Sequence, residues 1–314
     1  MNPDEFCTSD QWSALTSAAS HSQFAGVLGG FLITAIALLM DKNSRESVHT
    51  LALFSSAVLI LMLDSFLFSM ITGTQVPSDG NRRGICAIAW TQGAVSTGML
   101  AAGATAFFGG LGWMLAGHAV KKVSEQEAED AGAYSFLADL GGWLTFAATM
   151  TTTLILSETT VDYLHFMFGR RPDLWATGLI VTSAAIVIVV NFALVYIRTK
   201  TLRQSLADNS ETTRLALRSI KVATVTTLAL AVVASWLAVS LARFPQGWFT
   251  EPNIAFVVGV SILTFVMPTI VATAICYSVA STDEGFSMRG WRGTAGPGRT
   301  PASRGRQSPR SPQR

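Results

Sequence analysis

Seven long stretches with at most one formal charge dominate this chain of 314 residues. Six contain no acidic, basic or histidine side chain: residues 22–40, 84–117, 140–157, 174–197, 222–242 and 252–282. The seventh stretch, residues 50–78, carries one charge, at Asp64. A helix needs about 20 mostly apolar residues to cross the hydrocarbon core, which each stretch reaches or approaches. Because backbone groups in lipid must be paired within their own segment, we expect seven helices.

The composition agrees with a membrane protein. Half of the residues are hydrophobic and 13% are charged, about half the charged share of a soluble domain. A β-barrel would alternate polar and apolar residues, whereas these apolar stretches are continuous. We therefore predict an all-α, polytopic membrane helical bundle. Its organisation is a short extracytoplasmic N-terminal tail (1–20), a seven-helix transmembrane domain (21–281) and a C-terminal tail (282–314).

The distribution of Lys and Arg predicts the orientation. Seventeen of the 22 basic residues fall in the loops 41–49, 118–133 and 198–221 and in the C-terminal tail. The loops on the opposite side hold the other five. Cytoplasmic loops carry the excess of positive charge, so we expect the N-terminus outside and the C-terminus in the cytoplasm. We expect a multi-pass protein of the plasma membrane.

The C-terminal tail has a composition unlike the rest. After residue 284 it contains seven Arg and four Pro and no acidic residue. Such a segment buries too little apolar surface to fold alone, and we expect disorder. Its simplest role is to fix topology as a solvated tail. Alternatively, it contacts anionic lipid headgroups, to which basic residues are attracted.

The third helix carries an extended row of small residues. One small residue recurs every fourth position, at Ala94, Gly98, Ala102, Ala106 and Gly110. Rows of this kind allow another helix to approach backbone to backbone. The row is explained by packing inside one bundle or by formation of a homo-oligomer, and the sequence leaves both open.

Polar side chains in the outer half of the bundle form the candidate site. Counting 1.5 Å per residue puts Asp64 about 12 Å below the outer end of helix two. The same counting brings hydroxyls of helices three, four and seven to that level: Thr97, Thr149, Thr152, Ser261 and Thr264. Pro268 lacks a backbone donor, so it predicts a kink and a free carbonyl at Thr264.

Asp64 admits two interpretations. In one, it is protonated or hydrogen-bonded to nearby hydroxyls and serves packing. In the other, it lines a polar cavity and carries a proton or binds a cation, because ionisable groups inside membranes are costly and commonly functional. The second predicts a small transporter or channel-like protein. The alternative is a non-catalytic scaffold or partner-binding protein that uses the small-residue face of helix three and the basic tail.

The remaining chemistry-bearing residues are few. Cys7 and Cys86 fall on the predicted outer side, where disulfides persist; they form a bridge or remain two free thiols. Four scattered histidines give no metal-ligand spacing, so we expect no metal site. No nucleotide-binding, zinc-protease, nucleophile-elbow or CxxC motif is present, so we expect no cofactor and lean against an enzyme. We expect no nucleic-acid partner.

Overall fold

The fold comes from a computed structural model that describes residues 7–9, 12–40, 45–76, 82–125, 131–169, 174–208, 214–245 and 247–278. The C-terminal tail predicted at 282–314 lies outside the described residues, and so does the proposed contact of that tail with lipid headgroups. The described chain is almost entirely helical, with one two-residue antiparallel β-pairing, Thr8–Ser9 with Trp12–Ser13, near the N-terminus.

In the described residues, six long helices and one interrupted helix build the fold. The long helices are α1 (Ala14–Met40), α2 (Arg45–Thr72), α3 (Arg82–Glu125), α4 (Ala131–Phe168), α5 (Leu174–Asp208) and α6 (Arg214–Ser240). A 3₁₀ turn (Leu241–Arg243) and the short α7 (Gly247–Thr250) lead to the last span. That span consists of α8 (Ile254–Ser261), a π-helical segment (Ile262–Val266) and α9 (Met267–Ser278).

Within the described residues, seven helices are long and apolar enough to cross a membrane. Each of them covers most of one of the seven stretches that the sequence predicted. The all-α architecture of seven spanning-length helices is therefore confirmed. It is the architecture of a multi-pass membrane protein.

Two helix ends differ from the positions that the charge pattern suggested. α1 begins at Ala14, inside the segment 1–20 predicted as a tail, and Ser13 Oγ accepts from Thr16 N at 3.4 Å. α4 continues past Glu158 to Phe168. It ends where Gly169 adopts a φ of 63° and donates to the His165 carbonyl at 3.0 Å, a left-handed helix stop.

α3 lies at the centre of the bundle. It packs against α1, α2, α4, α6, α8 and α9. Its most apolar window is 67% buried, whereas that of α5 is 22% buried. The outer face of α5 presents large apolar side chains such as Leu174, Leu179 and Val189. A soluble protein would present mainly polar side chains on such an outer face. The exposed apolar side chains instead fit a bundle whose peripheral helices face lipid.

Candidate functional site

Asp64 lies on the buried face of α2. Its side chain is 0% exposed, and so are those of Ala57 and Ile60, which precede it on the same face of the helix. Neither of its carboxylate oxygens has a hydrogen-bond partner among the residues that the structure describes. A buried polar group normally has at least one partner. Asp64 is therefore an exception that needs a physical explanation.

In the described residues, five hydroxyl groups on other helices share this condition, and three of them belong to residues that are themselves fully buried. Ser96 lies on α3, Thr227 on α6 and Thr264 in the π-helical segment, and each is fully buried. In the described part of the chain their hydroxyl oxygens also have no hydrogen-bond partner. Serine and threonine in membrane helices usually bond to a carbonyl of their own helix. These three do not.

The packing of α2 and the last span on α3 places these side chains at similar depth. A Cβ added to Gly103 of α3 would meet Ile60 and Leu61 of α2. The two helices are antiparallel, so Asp64, about one turn further along α2, lies beside residues 99–100 of α3. Gly98 lies directly against Thr264. Asp64 and Thr264 are thus at nearly the same level, and Ser96 is within about one turn, or about 5 Å, of it.

A hydrogen bond between α3 and α6 shows how the two helices are aligned along the bundle axis. Gln92 Nε2 donates to the Ala238 carbonyl at 2.9 Å. Thr227 precedes Ala238 by about three turns, which brings it level with Gly103 of the antiparallel α3. The polar groups of Asp64, Ser96, Thr227 and Thr264 therefore fall within about 10 Å along the bundle axis. We refer to these four residues as the buried polar layer.

The π-helical segment lies at this level of the last span. It ends two residues before Pro268, and the N–H of Met267 bonds to the Ile262 carbonyl, five residues back. Single π-helical turns occur often at functional sites. The proline thus coincides with the irregularity that the sequence predicted, although the local structure is a π-helical turn.

Gly98 allows α3 to touch the backbone of this segment. From the position that a Cβ would occupy at Gly98, the Thr264 carbonyl oxygen is 3.0 Å away, the Thr264 Cα 3.1 Å and the Leu263 carbonyl oxygen 3.3 Å. Any larger side chain would have to displace backbone atoms. A missing donor at Pro268 frees one carbonyl of this segment. The carbonyl oxygens of Leu263 and Thr264 thus lie against α3 beside the buried polar layer.

Four residues predicted for the site bond to their own helices. Thr97 Oγ1 donates to the Gly93 carbonyl at 2.8 Å, and Ser261 Oγ donates to the Val257 carbonyl at 2.9 Å. Thr149 and Thr152 do the same with the carbonyls of Phe146 and Ala148. All four hydroxyls therefore have partners without any ligand.

Thr149 and Thr152 also lie deeper than predicted. The Thr152 hydroxyl is 3.4 Å from that of Thr105, which follows Gly98 by two turns, or about 10 Å. Thr149 Oγ1 is 3.5 Å from Cys276 Sγ, and Cys276 follows Thr264 by about 18 Å along the last span. The predicted depth was wrong because α4 continues to Phe168, so both residues lie farther from its outer end than the uncharged stretch 140–157 indicates.

Sequence reasoning did not single out Thr227. It lies in an apolar helix that also contains Thr224, Thr226 and Ser235. The hydroxyls of Thr224 and Ser235 also have no partner among the described residues, and no local pattern marks Thr227 as the fully buried one. Only the packing of α6 against α2 and the last span identifies it.

The small-residue row of α3 is buried within the chain. Ala94, Ala102 and Ala106 are at most 1% exposed, Gly98 contacts the π-helical segment and Gly110 faces Phe54 of α2. The sequence left two explanations for this row open, and in the structure the row is used for packing inside one bundle. The row therefore offers no surface to a second copy or to a scaffolded partner.

The N-terminal segment is attached to the start of α3. Cys7 and Cys86 form a disulfide with their Cα atoms 5.1 Å apart. Trp90 Nε1 donates to the Cys7 carbonyl at 2.8 Å, and its ring stacks on Phe166 of α4 with centroids 5.3 Å apart. Residues 7–9, predicted as part of a tail, are thereby packed against α3 and α4.

The described residues contain no group of three or more His, Cys, Asp or Glu side chains that could hold a metal ion. In comparisons with known proteins, no protein-family model, curated protein or solved structure gives a significant match to this chain. Function therefore has to be argued from the buried polar layer itself.

Proposed function

We propose that the chain is a small transporter or channel-like protein that carries a proton or a cation through Asp64. One observation carries this proposal: a fully enclosed carboxyl group has no hydrogen-bond partner among the described residues. An isolated carboxylate at membrane depth costs about 2.5–3.5 kcal/mol even on insertion scales. The group is stable there when a proton neutralises it or when a cation accompanies it.

A role in packing alone is poorly supported. A carboxyl group stabilises a membrane bundle through hydrogen bonds to other helices. Asp64 makes none with the described residues, so a leucine of similar size would fill its place at lower cost. The capacity to take up and release one positive charge is what distinguishes an acid from leucine at this position.

The chemistry of the layer suits a small hard ion. Its polar atoms are all oxygens: one carboxyl group, three hydroxyl groups and, beside them, the carbonyls of Leu263 and Thr264. Oxygen ligands are the preference of hard cations, and hydroxyl groups also pass protons. Transport would require the layer to open to each side in turn. The π-helical segment is the natural place for that movement because its backbone bonding is already irregular.

The proposal places the N-terminus outside the cytoplasm, in the plasma membrane. The Cys7–Cys86 disulfide supports this orientation, since disulfides persist on the extracytoplasmic side. The excess of Lys and Arg in the opposite loops supports it independently.

Ion flux in vesicles tests the proposal. Purified protein is reconstituted, and uptake of H⁺, Na⁺ and K⁺ is followed for the wild type, for Asp64→Asn and for Asp139→Asn. Asp139 is a buried carboxyl near Gly141, which packs on Gly112 about 20 Å from Gly98 along α3. We expect flux in the wild type, its loss in folded Asp64→Asn and its retention in Asp139→Asn. Undiminished flux in Asp64→Asn, or a wild type silent to all three ions, would contradict the proposal.

A further inference from the structure

A groove runs between α4, α5 and the last span. Its volume is about 530 Å³, and residues of all three elements line it. The side chains along its rim are apolar and exposed, with Leu179 64%, Val258 50% and Ile262 47% accessible. In a membrane such a rim faces hydrocarbon, so the groove is continuous with the lipid-facing surface of the bundle.

The groove provides few hydrogen-bonding groups for a polar ligand. Three of its lining residues carry hydroxyls, Thr160, Ser183 and Ser261. Each donates to a carbonyl of its own helix, those of Leu156, Leu179 and Val257 respectively. The other lining residues are apolar or aromatic. A molecule that fills this space must therefore be apolar along its whole buried length.

The length of the groove matches one leaflet. On α5 its lining extends from Trp175 to Ser183, about 12 Å, and on the last span from Ile254 to Val266, about 18 Å. Half of the hydrocarbon core is about 15 Å thick. Trp175, at one end, is 72% exposed, as expected of an aromatic side chain at the headgroup level. The groove thus runs along the membrane normal, from the headgroup level to about the middle of the bilayer.

We propose that this groove binds one acyl chain of a membrane phospholipid from the leaflet at the N-terminal end of α5. The recessed shape, the apolar lining and the length of one leaflet together favour a phospholipid chain, because its headgroup can remain at the level of Trp175. Ile262, Phe265 and Val266 line the groove and belong to the π-helical segment. The bound chain therefore packs against the irregular turn of the last span.

Lipid retention measured by native mass spectrometry tests this site. Ala176→Trp places a large side chain in the groove, and Ala185→Trp adds the same bulk at an exposed position of α5 outside it. After purification in mild detergent, we expect one retained phospholipid on the wild type and on Ala185→Trp. Occupancy should fall at least about tenfold in Ala176→Trp. Ser183→Phe, at the inner end of the groove, should also lower the lipid occupancy. It replaces Ala176→Trp in the test if that variant does not fold.

Several results would overturn the proposal. Equal retention by the groove variants and the wild type would show that lipid binds elsewhere. A wild type that retains no lipid would exclude a specific site, and a free fatty acid as the retained molecule would exclude a phospholipid. The test does not depend on ion flux, so it can fail or succeed independently of the role of Asp64.

Discussion

Asp64 is a single carboxyl group enclosed by apolar helices, and its surroundings decide how a substitution will act. Both oxygens are buried without a partner among the described residues. Removing an acid that makes no hydrogen bond leaves no donor unsatisfied. A substitution at Asp64 can therefore remove a role in ion transfer without destabilising the fold.

We predict that Asp64→Leu preserves the fold. Its free energy of unfolding should equal that of the wild type to within about 1 kcal/mol or exceed it, because no polar partner loses a bond. Thermal unfolding in detergent measures this, with Asp64→Asn as the matched polar variant. A loss of about 3 kcal/mol would mean that Asp64 has a partner in the folded protein, and the packing interpretation would then regain its support.

Gly98 gives a second prediction at the scale of one residue. Gly98→Ala should destabilise the protein by about 1–3 kcal/mol, because the new Cβ would lie 3.0 Å from the Thr264 carbonyl oxygen. Gly178 and Gly259 have no neighbouring atom within 4 Å of such a Cβ, so alanine there is the matched control. Thermal unfolding of the three variants should show a loss only at residue 98. An unchanged midpoint for Gly98→Ala would argue against close contact of α3 with the π-helical segment.

At the scale of elements, the sequence predicted where helices lie better than where they end. Each apolar stretch contains a spanning helix, since length and apolarity are properties of the segment itself. The ends of α1 and α4 depend on Ser13 and Gly169, which stop or start a helix whatever the charge pattern. The depth predicted for Thr149 and Thr152 from the uncharged stretch 140–157 was therefore wrong. Thr264, by contrast, lies against Gly98 of α3, close to the level of Asp64.

The link between the N-terminal segment and α3 leads to a prediction for the disulfide. The Cys7–Cys86 bridge spans 79 residues, including α1 and α2. Reduction, or replacement of both cysteines by serine, should lower the free energy of unfolding by about 2–4 kcal/mol. Thermal unfolding with and without reductant measures the change, and the double serine variant should no longer respond to reductant. Free alkylation of both cysteines in the native membrane would contradict the bridge.

At the scale of the whole molecule, the orientation proposed from the distribution of Lys and Arg can be tested directly. The native cysteines give little background, since Cys7 and Cys86 are bonded to each other and Cys276 is buried. We predict that a cysteine at Asp173 reacts with an impermeant reagent in intact cells, whereas a cysteine at Thr201 reacts only after permeabilisation. The reverse labelling pattern would invert the proposed topology and leave the helix bundle unchanged.

For the whole molecule, we propose that the closed bundle holds one positive charge, a proton or a cation, at Asp64. Infrared spectroscopy of purified protein, combined with a measurement of bound Na⁺ and K⁺, tests this most directly. We predict either a protonated carboxyl absorption that disappears in Asp64→Asn, or one bound cation per chain that is lost in the same variant. An ionised Asp64 with no bound cation in the folded wild type would contradict the account.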